Sequence, residues 1–121
     1  MTKESRIIIE MGTGNDLYGG DYTKAACRAV SDALRHSSIP LFESLGMDHR
    51  DMRVKVTVGV QKPAAVDVDA VAATLPRGRA EVCVTHGGLD VTRPDDDTPH
   101  VIATAAVEAF LSIDPSAWKS A

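Results

Sequence analysis

Most candidate site residues of this chain fall in one segment, Glu10–Ala26, which reads EMGTGNDLYGGDYTKAA. It holds four glycines, two aspartates (Asp16 and Asp21) and Tyr18, whose side chains could bind or polarise a ligand. Glycine lets the backbone approach a ligand closely, and Lys24 could meet an anionic group. The segment therefore predicts a small-molecule site, with these candidate residues: Gly12, Gly14, Asp16, Tyr18, Gly19, Asp21 and Lys24.

The glycine spacing fits neither common phosphate motif. Gly12 and Gly14 lack the third glycine of a dinucleotide fingerprint, because Leu17 stands in its place. No Gly-Lys-Ser/Thr follows, so the segment is not a P-loop. Asp16 and Asp21 would also repel a phosphate in the absence of a cation. The alternative interpretation is a strand-to-helix turn that needs glycine for geometry alone.

Three residues elsewhere are predicted to complete the pocket. Lys55 alternates onto the polar face of a predicted strand, and Glu10 and Glu81 could pair with it if that face is buried. His86 closes another predicted strand, and histidine is the side chain that most often transfers protons in catalysis. Lys62 follows a strand end. The plainer alternatives are a solvated Lys55 and a His86 satisfied by backbone. The predicted catalytic set is Asp16, Tyr18, Lys55 and His86, with Lys62 among the ligand-binding residues.

The first half of the chain predicts two strands and one helix that would position this site. Arg6–Met11 is a short apolar run typical of a central strand. Apolar residues from Tyr22 onward recur at helical spacing, with Asp21 as a plausible N-cap. Arg53–Val60 alternates valine with polar residues, which predicts a strand with one apolar face.

The second half predicts a helix, a hairpin and a last helix. Val68–Leu75 is the helix, capped by Asp67. Arg79–Thr85 alternates as a strand, and Gly87-Gly88 would turn it into a hairpin with Leu89–Val91. The polar Arg93–Thr98 loop and the Thr98-Pro99 pair would open a helix whose apolar stripe is Val101, Ile102, Ala105, Ala106, Ala109 and Phe110.

The resulting order is β-α-β-α-β-β-α, which favours an α/β fold: a single-domain two-layer sandwich over residues 1–121, ending in a short tail, 115–121. The chain has 121 residues, enough for one domain, with 44% apolar and 25% charged residues. Its net charge of −4 argues against nucleic-acid binding. Cys27 and Cys83 fit no disulfide framework or metal spacing. We therefore expect a cytoplasmic protein with free thiols, no metal and no membrane span, and the pattern identifies no cofactor.

The stretch from Gly12 to Gly19, GTGNDLYG, resembles the GxGxDxHG signature of a "Lin"-type conserved-hypothetical family of bacteria and plants. The segments DYTKAACRAVSDAL, VKVTVGVQKP, VDVDAVAATLP and EVCVTHGGLDV also resemble the family pattern, so the resemblance runs nearly end to end. The family has no established function, so the resemblance implies kinship and little chemistry. Tyr18 stands where the signature has His, which implies an altered site if that His were a metal ligand or a base.

Two further resemblances bear on fold and reaction class. The element order resembles the chorismate-mutase-type fold, which is shared by small trimeric deaminase-like proteins and by the tubulin-type C-terminal domain. Gly20–Lys24 is similar to a segment of ring-opening cyclic-amide hydrolases of the cyanuric acid and barbiturate type. These resemblances imply cyclic-amide hydrolysis or deamination as the reaction class to test. The competing class is a non-catalytic assembly protein whose loop makes contacts between subunits.

The alternation also predicts self-association. The second sheet face would carry Lys55, Thr57, Glu81, Cys83 and Thr85, and the predicted helices suffice to cover only the first face. We therefore expect a homo-oligomer, a symmetric ring or trimer, with Trp118 of the tail as a possible clasp. A polar face exposed to water is the alternative.

Overall fold

The computed structural model describes residues 3–17, 19–35, 53–75 and 79–113. Along the chain these residues form β1 (Lys3–Asp16), α1 (Tyr22–Arg35), β2 (Arg53–Val60), a 3-10 turn (Pro63–Ala65), α2 (Val68–Ala72), β3 (Arg79–His86), β4 (Leu89–Arg93) and β5 (Asp96–Ile113). Tyr18, Trp118 and the predicted tail lie outside this part of the chain. No helix in the described ranges is long and apolar enough to cross a bilayer.

The strands form one mixed sheet. Its order is β1-β5-β2-β3, and β4 pairs with the first part of β5. β5 runs antiparallel to both β1 and β2, whereas β2 and β3 are parallel. β1, β2 and β3 therefore all run in the same direction, and their carboxyl ends lie at the same end of the sheet.

The two helices in the described ranges, α1 and α2, begin where the sequence predicts. The Asp21 carboxylate accepts the Lys24 N–H at 3.0 Å, and Asp67 accepts the N–H groups of Asp69 and Ala70. Such caps satisfy backbone donors that the first helical turn leaves without partners. α2 ends at Ala72, a few residues before the predicted Leu75.

The core lies between one face of the sheet and the helices. α1 packs on β1 and β5, and α2 packs on β3. The buried residues are almost all small or β-branched: Ala25, Ala26, Ala29, Val30 and Ala33 from α1, and Val54, Val56, Val58, Val60, Val101, Ala103, Ala105, Val107 and Ala109 from the sheet. Small side chains allow a thin core, which suits a chain with only 4% aromatic residues.

Gly12 and Gly14 lie inside β1 and not in a loop, because β1 continues five residues beyond the predicted Met11. Each faces the backbone of α1. A Cβ on Gly12 would come within 2.4 Å of the Ala33 nitrogen, and one on Gly14 within 2.2 Å of the Ala29 nitrogen. The two glycines therefore let helix and strand pack at backbone contact.

The prediction of a last helix is wrong. Asp96–Ile113 is the long central strand β5, so the order is β-α-β-α-β-β-β and not β-α-β-α-β-β-α. Val101, Ala103, Ala105, Val107 and Ala109 alternate inward, with the period of a strand. The other face also carries apolar residues, Ile102, Ala106 and Phe110, and apolar residues on both faces imitate a helical stripe.

The predicted hairpin between β3 and β4 is also wrong. β4 pairs with β5, so the hairpin joins those two strands, and Pro94 and Asp95 of the expected polar loop form its turn. Gly87-Gly88 instead carries the chain past the end of β2. Gly88 has a φ of +59°, and a Cβ there would lie 2.2 Å from the Ile102 carbonyl oxygen. Only glycine fits that crossing.

Candidate functional site

A cavity of about 370 Å³ opens where β1 ends and α1 begins. Three predicted site residues line it, Asp16, Gly19 and Lys24, together with Asn15, Leu17 and Arg28. The carboxyl end of a strand beside a helix start is the usual place for a ligand in an α/β sheet. The structure thus brings together part of the predicted loop site.

Asp16 is the one buried charged residue in the described part of the chain. Its Oδ2 accepts the Asp21 N–H at 2.9 Å, and Arg28 lies 3.8 Å from Oδ1. The Asp21 N–H is the main cause that lowers the pKa of Asp16. The Lys24 charge, the Gly19 N–H and Arg28 lower this pKa further, whereas burial raises it. Asp16 is therefore a firmly ionised carboxylate that holds the loop between β1 and α1 in shape.

Gly19 and Asp21 act through this carboxylate. A Cβ on Gly19 would lie 2.8 Å from the Asp16 Oδ2, so a larger residue would push the loop off its acceptor. Asp21 both donates its N–H to Asp16 and caps α1. Both predicted residues thus have a structural role at the site.

A polar stripe on α1 borders the exposed edge of β1. Lys24, Arg28, Ser31 and Arg35 recur every three or four residues, and the last three line an adjoining cavity of about 310 Å³ with Thr13, Gly14 and Asn15. Arg28 donates to the Asn15 carbonyl at 2.6 Å, and the Asp32 carboxylate accepts the Thr13 N–H at 3.0 Å. The Arg28 and Asp32 side chains thus bind backbone N–H and C=O groups on the exposed edge of β1, which could otherwise pair with another strand.

The second candidate site lies on the open face, the sheet face opposite the helices. A cavity of about 550 Å³ there is lined by Met11, Thr13, Thr57, Gly59, Thr85 and Thr104, and also by the predicted residues Gly12 and His86. Thr13, Thr104, Gly59 and Thr85 stand opposite one another across four strands. Gly59 has no side chain, so this row contains a depression bordered by hydroxyls.

The other predicted residues lie apart from the loop cavity. Lys55 is on the open face, paired in register with Glu81 on one side and Glu108 on the other. Glu10 alternates to the opposite face of the sheet. Of the two predicted partners of Lys55, only Glu81 therefore lies beside it. Lys62 is exposed and precedes the 3-10 turn. Lys62 and His86 lie at the same end of the sheet as Asp16. They lie apart from it, because β5 separates β1 from β2.

Tyr22 and Asp90 form a polar contact that the sequence did not indicate. The Tyr22 hydroxyl donates to Asp90 Oδ2, while Oδ1 is buried without a hydrogen-bond partner among the described residues. Burial, the hydrogen bond and the Asp90 charge raise the pKa of Tyr22 to about 12. The contact ties the start of α1 to β4.

Arg28, Asn15 and the threonine row are the site residues that sequence reasoning missed. Arg28 could have been found, because it lies one helical turn after Lys24 on the same polar stripe. Thr13 and Thr104 could not have been found, because the sequence pattern predicts a loop at Thr13 and a helix at Thr104. Their alignment depends on strand register, which no local pattern shows.

The arrangement suits binding better than proton transfer. A carboxylate with a lowered pKa is a weak base, and Asp16 is already occupied by hydrogen bonds. Burial, followed by the charges of Asp21 and Asp67, raises the pKa of Cys27, which makes this thiol a poor nucleophile. In the described ranges no three His, Cys, Asp or Glu side chains lie close enough together to hold a metal ion. The expected absence of a metal remains a prediction.

In the part of the chain that the structure describes, fold and site together define a mixed α/β protein with a five-stranded sheet and two helices on one face. The sequence matches the model of a conserved hypothetical protein family, Lin0512, over residues 6–109. The chain belongs to this family, which confirms the suspected kinship.

Among solved structures, the crystal structure of an FtsZ-like protein of unknown function from Nostoc punctiforme PCC 73102 is similar over nearly the whole chain. It is 36% identical, covers 93% of this chain and 100% of its own, and superposes with a TM-score of 0.79. No curated protein matches the sequence. The comparisons therefore support the α/β fold and an uncharacterised family, and they assign no activity.

Proposed function

We propose that this protein binds a small organic anion, such as a carboxylate, in the cavity at the carboxyl end of β1. The observation that carries the proposal is the pair of cations, Lys24 and Arg28, one helical turn apart on α1 and both lining that cavity. The volume of about 370 Å³ is at the lower end of the range of small-molecule sites.

The charges at the cavity favour an anion even though Asp16 is present. Two backbone N–H groups and Arg28 already stabilise the Asp16 carboxylate, so it needs no cation from a ligand. Arg28 is held in place by the Asn15 carbonyl, which lowers the entropy lost on binding. The Lys24 ammonium has no hydrogen bond to another described residue and remains available to a ligand.

The proposal concerns binding before catalysis. Cyclic-amide hydrolysis and deamination remain the reaction classes to test second, on ligands that bind. The finer chorismate-mutase-like assignment is likewise a proposal, and it must accommodate β5 in place of a final helix.

The test is a thermal-shift screen of the whole chain with keto acids, cyclic amides, nucleobases and metal ions, followed by calorimetry on the best hit. We expect a carboxylate-bearing compound to raise the melting temperature. Lys24→Ala and Arg28→Ala should each weaken its binding by roughly tenfold to a hundredfold, since a charge-assisted hydrogen bond is worth roughly 1.5–3 kcal/mol.

Arg6→Ala is the matched control. Arg6 and Arg28 have the same side-chain exposure of 51%, and each lies beside a carboxylate, but Arg6 pairs with Glu108 away from the cavity. Arg6→Ala should leave the affinity unchanged. Equal losses in the Arg6 and Lys24 variants, or a hit list of neutral molecules and metals alone, would contradict the proposal.

A further inference from the structure

Exposed apolar side chains are concentrated on the open face. Among the described residues, six large apolar side chains are exposed, and four of them lie on this face: Ile9 (45%), Met11 (72%), Leu89 (58%) and Val91 (45%). They flank the threonine row from the β1 side and from the β4 side. Such clustering marks an interaction surface, because single apolar residues are usually scattered.

The charges of this face suit a copy of itself. Three cations, Arg6, Arg53 and Lys55, stand with two carboxylates, Glu81 and Glu108, so the described face is close to neutral although the whole chain carries −4. Glu108, Lys55 and Glu81 also alternate in sign across three neighbouring strands. A second copy shifted by one strand therefore meets opposite charges and not like ones.

The size of the face is sufficient for a specific dimer. Strands lie about 4.8 Å apart and rise about 3.3 Å per residue, so four strands of eight residues present roughly 500 Å² of flat area. Two copies would cover about 1,000 Å² before side-chain relief is counted, which reaches the lower bound for a biological interface.

We infer that the open face binds a second copy of this chain in a two-fold symmetric dimer. The apolar flanks supply the burial, and the alternating charges set the register of the two sheets. Each copy then covers the cavity of its partner, so the hydroxyls of Thr57, Thr85 and Thr104 come to line an enclosed space between two chains. This surface is separate from the anion cavity at α1.

The mass in solution tests the inference. Light scattering on the purified chain at micromolar concentration should give twice the 12.9 kDa of one chain. Met11→Glu and Leu89→Glu should each raise the dimer dissociation constant at least tenfold, because each buries an unpaired charge twice in a symmetric interface. Lys55→Glu should act in the same direction, since it places a third carboxylate between Glu81 and Glu108.

Val68→Glu is the matched control. Val68 is 42% exposed, similar to Ile9 and Val91, but it lies at the start of α2 on the other face of the sheet. An acid is also well tolerated at a helix N-terminus. Val68→Glu should keep the wild-type mass, and so should Lys24→Ala, which separates this inference from the proposed anion site.

The alkylation rate of Cys83 provides a second readout. Cys83 is exposed on the open face, whereas Cys27 is half-buried on α1, where its thiol lies near the Ala70 carbonyl of α2. The alkylation of Cys83 should slow as protein concentration rises through the dimer dissociation constant, and the alkylation of Cys27 should show no such dependence.

A chain that keeps the mass of one copy at several hundred micromolar overturns the inference. A mass of three copies, or equal dissociation by Val68→Glu, also overturns it.

Discussion

The two faces of the sheet carry residues that alternate along the same strands, yet they obey different constraints. On the helix-covered face, Gly12 and Gly14 touch the backbone of α1, and Val56 and Val58 have no exposed surface. On the open face, Thr57, Thr85 and Thr104 border a cavity, and Met11 keeps 72% of its surface exposed. One face is limited by sterics and the other is free to carry polar chemistry.

The difference teaches where this fold tolerates change. A closely packed face transmits any added volume to the backbone, because neither partner can move aside. On the open face of a single chain, a side chain accommodates added volume by rotating into solvent. Stability should therefore depend on the helix-covered face, and association on the open face.

The largest expected difference in the free energy of unfolding is between alanine variants of two glycines, one from each face. Gly14→Ala should destabilise the fold by roughly 3 kcal/mol or more, because its Cβ would lie 2.2 Å from the Ala29 backbone nitrogen. Gly59→Ala should cost about 1 kcal/mol or less. Its nearest obstacle is the Thr104 hydroxyl at 2.8 Å, which can rotate away, and the nearest backbone atom, the Gly87 Cα, is farther off at 3.3 Å. Urea denaturation of both variants decides the comparison, and equal losses would contradict it.

A smaller effect is expected from removing methyl groups on neighbouring residues of β2. Val56→Ala should cost about 2 kcal/mol, the transfer energy of two buried carbons plus a cavity term. Thr57→Ala, one residue away on the open face, should change the free energy of unfolding by less than about 0.5 kcal/mol. Both values come from the same denaturation series. A Thr57 variant as unstable as the Val56 variant would show that the open face is packed in the monomer.

The smallest effect concerns two carboxylates and depends on pH. The folded pKa of Asp16 is lowered, so its stabilisation is present above the ordinary value of 3.8 and is lost as pH falls through the folded pKa. Asp16→Asn should cost about 1 kcal/mol at neutral pH and progressively less below pH 3.8.

Glu81→Gln is the control on the open face. Glu81 is largely exposed and pairs only with Arg53 in the described contacts, at 3.3 Å. Within a single chain, a surface pair of this kind contributes less than about 0.5 kcal/mol. Thermal melts of both variants from pH 2 to pH 7 provide the comparison. A pH-independent cost for Asp16→Asn would mean that Asp16 acts through its shape and not through its charge.

Several elements could be predicted because their signals are local. Asp21 and Asp67 cap helices through contacts two or three residues away. The valines of Arg53–Val60 predict β2 with its observed bounds, since alternation is a property of the strand itself. The signature around Asp16 also led to the right family, because that segment keeps its residue types in order.

The final helix and the β3–β4 hairpin could not be predicted in this way. The segment from Val101 to Phe110 is apolar at both strand and helix spacing, so only its pairing with β1 and β2 distinguishes the two. Gly87-Gly88 permits a hairpin, but β4 finds a partner in β5, whose free edge lies beyond the end of β2.

By itself the sequence determined the helix starts, the valine face of β2, the family and a polar segment around Asp16 worth searching for a site. The tertiary structure alone decided that Gly12 and Gly14 serve helix packing, that Arg28 joins Lys24 at the cavity, and that four strands align a row of threonines around Gly59. The physical reason is the range of the contacts. Caps and alternation arise between near neighbours in the chain, whereas strand register and backbone approach arise between segments up to about a hundred residues apart, such as Arg6 and Glu108.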